Sequence, residues 1–240
     1  TGIQSLGVMT DMPGLMVRFE REQRLPWRTR IATGIIKWCL NNFKKYVFLT
    51  EAMNVVNERK RPYIVMEGMS DRFMATYKRP FEAKDIKVVM YAGGLHERYG
   101  LKKLTEAFMM LPQENFRLKL FGSGPFVEKL KTKYTKKDSR IQYMGVAPNA
   151  EVVAAELDAS LLVNPRPTHE EFTKYSFPSK NIEYMASGTP LLTTKLPGMP
   201  KEYYPYVFLI ENESVEGYAK ALERVLAQSD EELYVFGEKA

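Results

Sequence analysis

From residue 86 onward, short apolar segments alternate with longer amphipathic ones. The apolar segments are rich in β-branched and aromatic residues, and they predict strands at 86–91, 116–121, 140–143, 160–163, 190–193 and 207–210. Helical patterns are predicted at 101–111, 126–134, 150–156, 181–186 and 215–227. This alternation predicts an α/β fold with a doubly wound, Rossmann-like parallel sheet, whose ligands bind beyond the carboxyl ends of the strands.

The first 80 residues have a different and less complete pattern. Short strands are predicted at 6–9, 46–49 and 64–66, a long helix at 27–46 and a short helix at 51–57. These strands lack the usual opening units of an α/β domain, and the chain begins with Thr1 rather than methionine. We therefore expect a partial N-terminal α/β domain, joined to the rest through a charged linker at 72–84.

Composition is that of an ordinary globular protein, with 45% apolar and 27% charged residues. No apolar run approaches the roughly 20 residues of a membrane-spanning helix. The single cysteine, Cys39, excludes an internal disulfide and fits a reducing cytoplasm. Because Cys39 lies in an apolar helical stretch, we expect it to be buried and inert. A net charge of +6 fits either a solvated surface or attraction to phosphates on a nucleotide, nucleic acid or membrane.

The segment 175–190, YSFPSKNIEYMASGTP, carries the clearest chemistry. Pro178 suits the start of a helix, where its missing N–H costs nothing, and Gly188 predicts the end of that helix. The N–H groups of residues 179–181 have no partner within such a helix. Together with the helix dipole and the ammonium group of Lys180, they make a favourable site for a diphosphate.

Glu183 follows Ser179 by four residues and shares its face of the helix. A carboxylate one turn below a phosphate site is repelled unless it faces hydroxyl donors, which a ribose supplies. The alternative is a solvated Glu183 paired with Lys180, and helix physics alone does not decide between the two. The face expected to pack against the sheet carries Ile182, Met185 and Ala186.

A second candidate region is the loop after the first strand of the sheet. Gly93 and Gly94 would let a ligand approach the backbone closely, and Arg98 could meet a phosphate. The alternative is a simple turn, which is also our interpretation of residues 122–125. Two distant histidines, no paired cysteines and no Asp-x-Asp motif argue against a metal site. The run His169-Glu170-Glu171 is interpreted as a solvated charge cluster.

In order and spacing, residues 86–227 resemble the family 4 (group 1) glycosyltransferases, a large retaining group with the GT-B fold. The motifs that carry the resemblance are Gly93-Gly94, Leu120-Phe-Gly-Ser-Gly-Pro125, Ile141-Gln-Tyr-Met-Gly145, Ser176-Phe-Pro-Ser-Lys180 and Glu183-Tyr-Met-Ala-Ser-Gly-Thr-Pro190. Residues 5–70 resemble the end of the family's acceptor-side domain. The resemblance implies that residues 1–75 are a remnant of that N-terminal domain, without its start, and that residues 76–240 bind a nucleotide-sugar donor.

The family also has two glutamates eight positions apart at the donor site. Glu183 matches the second, which holds the nucleotide ribose, but Tyr175 replaces the first. Tyr175 and the upstream Glu171 are therefore the candidates near the donor sugar. The family's phosphate-binding arginine and lysine are replaced by Gly94 and Tyr99. The implied donor-site residues, among which 145–147 would touch the base, are Gly93, Gly94, Arg98, Gly145, Val146, Ala147, Phe177, Ser179, Lys180 and Glu183.

The implied activity is transfer of a sugar from a nucleoside-diphosphate sugar, with a UDP-sugar favoured, to a glycan or lipid-linked acceptor. Transfer would retain the anomeric configuration and need neither metal nor cofactor. Such enzymes build capsules and other polysaccharides. The resemblance therefore implies a cytoplasmic location, either free or at the inner face of the membrane as a peripheral protein. This fragment would be inactive or weakly active by itself.

Two alternatives stay open at this point. One is a catalytically silent nucleotide-sugar-binding or scaffold module, which Tyr175 favours, and the other is a nucleotide-sugar epimerase of the GT-B type. Nucleic acid is not an expected partner despite the pI near 9.2, because no recognition motif accompanies the basic charge.

Overall fold

The computed structural model describes residues 4–12, 27–70 and 80–240. The chain divides into two compact units. The first unit comprises residues 1–68, 169–178 and 197–199, and the second comprises 69–168, 179–196 and 200–240. The predicted division was a single boundary at residue 75. In the structure, two later segments return to the first unit, so that the motif around residue 178 is shared between the units.

The secondary structure follows the predicted alternation, with different boundaries. The strands are β1 (Leu6–Met9), β2 (Lys45–Phe48), β3 (Tyr63–Val65), β4 (Lys87–Ala92), β5 (Phe116–Phe121), β6 (Ile141–Gly145), β7 (Leu161–Asn164), β8 (Leu191–Thr194) and β9 (Phe208–Ile210). The α-helices are α1 (Trp27–Leu40), α2 (Leu101–Phe108), α3 (Phe126–Lys129), α4 (Thr135–Lys137), α5 (Asn149–Asp158), α6 (Phe172–Tyr175), α7 (Ser179–Ala186), α8 (Val215–Leu226) and α9 (Asp230–Gly237). A π-helical turn, Leu130–Tyr134, joins α3 to α4, and 3-10 helices cover Glu51–Val56, Glu97–Tyr99 and Lys201–Tyr206.

The first unit contains a parallel sheet in the order β1-β2-β3. Its core is formed by Met9, Tyr46, Phe48 and Met53, and Tyr175 of α6 packs against it. The predicted helix 27–46 ends at Leu40 because the chain turns and enters β2 at Lys45. Cys39 is exposed, so the expectation of a buried thiol was wrong. Its apolar neighbours on α1, including Trp38 at 68% exposure, are also not covered by described residues, so apolar composition did not predict burial there.

The second unit is built on a six-stranded, fully parallel sheet in the order β6-β5-β4-β7-β8-β9. In the core, Val89 on β4 is aligned with Leu118 on β5 and Leu161 on β7, and all three side chains are completely buried. Helices α2 and α8 pack against each other and contribute to the same apolar core. The chain winds in one direction from β4 to β6 and in the other from β7 to β9. This confirms the doubly wound α/β prediction and creates a switch point between β4 and β7.

Local sequence signals predicted the ends of one helix but were overlooked at another. Helix α7 begins directly after Pro178, and Gly188 follows it with a left-handed backbone (φ +73°), as its sequence predicted. Helix α9 was not predicted, although Ser229 and Glu232 form a capping box at its start. Within the described residues, no helix combines the length and apolar character required to cross a membrane.

Candidate functional site

The carboxyl edge of the second unit's sheet carries three glycine-containing loops in direct contact. The Gly93 N–H donates to the Phe121 carbonyl (3.1 Å), and the Gly122 N–H donates to the Gly145 carbonyl (2.7 Å). A methyl group added at Gly122 would overlap the carbonyl oxygen of Gly93, so these loops approach more closely than any side chain permits. This supports a structural role for the turn at 122–125 and holds Gly93 and Gly145 along one edge.

The loop after β4 is further fixed by the buried Tyr91, whose hydroxyl donates to the Gly94 carbonyl (3.1 Å). Burial raises the pKa of Tyr91 to about 12, so the hydroxyl stays protonated and remains a donor. Gly94 itself is exposed, as is Val146 in the loop after β6, while Ala147 is half-buried. The predicted residues of these loops therefore border an open edge of the sheet.

Helix α7 is attached to this edge through polar side chains. The Tyr184 hydroxyl accepts from the Ala92 N–H (3.0 Å) and donates to the Ala92 carbonyl (3.3 Å) at the end of β4. The Asn164 amide at the end of β7 donates to the side-chain oxygen of Asn181 (2.7 Å). The side chains of Tyr184 and Asn181 are completely buried. Polar groups can take such positions in a core when they are hydrogen-bonded.

The face of α7 that packs on the sheet therefore differs from the predicted one. The buried side chains are Asn181, Tyr184 and Met185, whereas Ile182 and Ala186 are half-buried. The prediction was right for Met185 and wrong for Ile182 and Ala186, because it selected apolar residues only. The partners of the buried polar side chains lie on β4 and β7, at positions that α7 alone does not reveal.

Replacing Tyr184 by phenylalanine is expected to lower the free energy of unfolding by about 1–3 kcal/mol, because the Ala92 N–H would lose its hydroxyl acceptor in a buried position. Urea unfolding measures the change. Tyr206→Phe is the matched control, since Tyr206 is 42% exposed, and it should change stability little. Equal effects for the two variants would mean that the bond to Ala92 does not hold α7 in place.

Lys180 and Glu183, one turn apart on α7, form an ion pair with 2.8 Å between Nζ and Oε2. The ammonium of Lys180 also lies 3.5 Å from Oε1 of Glu156 on α5. The pairing of Lys180 with Glu183, one of the two interpretations from sequence, is thus present. Lys180 is shared between two carboxylates and is not directed solely toward a phosphate.

Glu156 is the buried member of this cluster. Its side chain is completely buried, and its Oε2 atom has no hydrogen-bond partner among the described residues. Burial raises the pKa of this carboxyl to about 7, with Lys180 opposing the rise and Glu183 adding to it. Sequence reasoning missed Glu156, because nothing in the helical pattern 150–156 separates it from the exposed Glu151.

Two arginines meet at the switch point. The Arg166 guanidinium, two residues beyond β7, lies 5.1 Å from the centre of the Tyr99 ring, and that of Arg98 lies 5.3 Å from the same ring. Arg98 was a predicted site residue. Arg166 was missed because it lies 67 residues after Tyr99 in the chain, counted from 99 to 166.

Three of the remaining predicted residues belong to the first unit. Glu171 is exposed, Tyr175 packs on that unit's core, and Phe177 is buried. Ser179, by contrast, is exposed at the start of α7 in the second unit. His169 is mostly exposed with Nε2 at 4.0 Å from Glu170 Oε1, which agrees with a solvated charge cluster. Among the residues that the structure describes, no cluster of three metal-binding side chains was found.

The fold defines the second unit as a doubly wound α/β domain, a class whose ligands bind beyond the carboxyl ends of the strands. The family model described as glycosyl transferases group 1 matches residues 75–240, and the chain belongs to this family. This confirms the resemblance inferred from the motifs, including the GT-B fold.

Individual proteins are similar over different lengths. A putative colanic acid biosynthesis glycosyltransferase, WcaL of Escherichia coli K12, is 30% identical over 112 residues, which are 45% of this chain and 27% of that protein. The chain thus matches only about a quarter of this relative's length. Sucrose-phosphate synthase from Thermosynechococcus elongatus is 19% identical with a TM-score of 0.72, over 99% of this chain and 62% of that one.

Two further solved structures share the fold. WaaG, a glycosyltransferase involved in lipopolysaccharide biosynthesis, is 16% identical with a TM-score of 0.74, covering 98% of this chain and 70% of its own. HepE of Anabaena, solved in complex with UDP and glucose, is 13% identical with a TM-score of 0.61, covering 97% of this chain and 64% of its own. These similarities show a common fold. The ligand of this chain has to be inferred from its own residues.

Proposed function

We propose that the second unit binds the nucleotide part of a nucleoside-diphosphate sugar, and that the protein transfers this sugar to a glycan or lipid-linked acceptor in polysaccharide biosynthesis. The observation that carries the proposal is the position of α7. Its first turns present Lys180 and Glu183, and Tyr184 bonds the helix to the end of β4, beside the glycine loops. A helix N-terminus and a carboxylate beside the carboxyl ends of the strands of a doubly wound sheet support this proposal.

In this arrangement each group has a distinct role. The N–H groups of the first turn of α7 stabilise the diphosphate, and the Glu183 carboxylate accepts hydrogen bonds from the ribose hydroxyls. The loop at 145–147 contacts the base. Uridine is the favoured base, in line with the UDP bound to the fold neighbour HepE. Helix dipole and basic side chains offset the negative charge of the departing diphosphate, and on this ground we propose that the transfer needs no metal. Retention of the anomeric configuration is what the family resemblance implies.

The donor site is tested by calorimetric titration of the chain with UDP, GDP and ADP. We expect micromolar binding of one of them. Replacing Glu183 by alanine should weaken that binding by about tenfold or more, because it removes charge-assisted hydrogen bonds to the ribose. The same substitution at Glu223, an exposed position on α8, is the control and should leave affinity unchanged. A folded chain that binds none of the three nucleotides would refute the proposal.

A second function is supported by Tyr175. This residue takes the place of the first motif glutamate, and it packs on the core of the first unit. A side chain held in this way suits a nucleotide-sugar-binding module without transferase activity. The two functions are separated by incubating the chain with a mixture of glycan acceptors and the nucleoside-diphosphate glucose whose nucleotide it binds. Only a transferase yields lengthened acceptors, which product analysis detects.

A further inference from the structure

We propose that Arg166 binds the diphosphate of the donor, a role that rests on the donor site proposed above. Arg166 follows β7, the strand that pairs with β4 across the switch point. Its backbone is fixed, because the Thr194 hydroxyl at the end of β8 donates to the Arg166 carbonyl (2.6 Å). The residue before it is fixed as well, since the buried Tyr218 hydroxyl donates to the Pro165 carbonyl (2.8 Å). The side chain thus extends from a rigid base at the ligand-binding edge.

The Arg166 side chain crosses from the β7 loop to the β4 loop. Its guanidinium lies 5.1 Å from the centre of the Tyr99 ring, and a methyl group added at Gly94 would lie 3.2 Å from that ring. The positive charge of Arg166 also acts on the Tyr91 hydroxyl, which donates to the Gly94 carbonyl. The charge opposes the rise in the pKa of Tyr91 that burial causes. These observations place a positive charge beside the ring that borders Gly94, in the loop where a diphosphate would approach the backbone.

Other basic side chains also lie near this edge. Lys180 lies between the carboxylates of Glu183 and Glu156. Lys103 donates to the Glu213 carbonyl (2.7 Å). Arg98 contacts the same ring as Arg166, but it belongs to the loop after β4 itself. Arg166 comes from the opposite side of the switch point, and its contact with Tyr99 brings a second positive charge to the loop after β4.

The chemistry of the pair formed by Arg166 and Tyr99 suits a phosphate. A guanidinium held against an aromatic face loses little rotamer freedom on binding, and its planar fork matches two phosphate oxygens. Lysine in this position would act as a point charge and form one bond at a time. The site therefore favours arginine for both affinity and orientation of the diphosphate.

The Arg166→Gln variant tests this role. Calorimetry measures its affinity for whichever of UDP, GDP and ADP the parent chain binds. Ligand-observed NMR measures its affinity for the nucleoside of that nucleotide, which lacks the diphosphate. We expect the diphosphate to bind about tenfold to a hundredfold more weakly, since a charge-assisted bidentate contact is lost. Nucleoside binding should be unchanged. Arg166→Lys should recover part of the lost affinity and keeps the test valid if the glutamine variant does not fold.

Arg117→Gln is the matched control, because it removes the same charge at the start of β5, at the opposite end of the strands, and should not alter affinity. Unchanged diphosphate affinity in both Arg166 variants, or an equal loss for nucleoside and diphosphate, would overturn the inference and leave the donor site intact. Failure of the parent chain to bind any nucleotide would instead overturn the donor site, and the role of Arg166 with it.

Discussion

Replacing Gly122 by alanine is expected to lower the free energy of unfolding by about 3–5 kcal/mol and to abolish nucleotide binding. The added methyl group would overlap the carbonyl oxygen of Gly93, and the backbone at Gly122 has φ +124°, which alanine adopts only under strain. The three nearest atoms all belong to the backbone of Gly93, so no side chain can rotate away to make room. Urea unfolding gives the stability change, and calorimetry with the bound nucleotide gives the affinity.

The loss of binding follows from the position of the clash. Relief of the overlap requires the loops after β4 and β5 to separate, which moves Gly93 and Gly94 away from the proposed diphosphate site and breaks the bond from Gly93 N–H to Phe121. Gly34→Ala is the control, because an added methyl group at Gly34 on α1 meets no atom within 4 Å. Alanine should be neutral or slightly stabilising in that helix. Parent-like stability and affinity of the Gly122 variant would show that the loop contact is not needed.

The structure also indicates which features a sequence can reveal. The strands of the second sheet were predicted from local apolar runs, because strands buried on both faces, such as β7 and β8, favour apolar residues at successive positions. The ends of α7 were predicted because Pro178 and Gly188 act on their own backbone. These signals are local, and they sufficed for the doubly wound fold.

Features that depend on contacts between distant segments were missed. Glu156 resembles any helical glutamate until α7 covers it, and Arg166 gains its neighbour Tyr99 only when β7 pairs beside β4. The burial of Asn181 depends on an amide supplied by Asn164. In each case one residue's role is set by a partner far along the chain, and hydrophobic periodicity carries no information about that partner.

Glu156→Gln is expected to remove a large part of the pH dependence of stability. The carboxyl of Glu156 ionises near pH 4.5 in an unfolded chain, whereas burial raises its pKa in the folded protein to about 7. Between these values the folded state binds more protons, so the free energy of unfolding falls as pH rises, and the loss is complete above the folded pKa. The contribution of this group over that window is about 3 kcal/mol. Urea unfolding from about pH 4.5 to about pH 8 should show a flatter profile for the variant.

The comparison isolates one proton because glutamine keeps the shape of the side chain but does not ionise. Lys180 retains its 2.8 Å contact with Glu183 in the variant, so the cluster loses a buried carboxylate and keeps its ion pair. Glu223→Gln, which replaces an exposed carboxyl of the same unit, serves as the matched control. Parallel pH profiles for the parent and Glu156→Gln would contradict the prediction. They would mean that Glu156 ionises in the folded protein as it does in the unfolded chain, with Lys180 fully offsetting its burial.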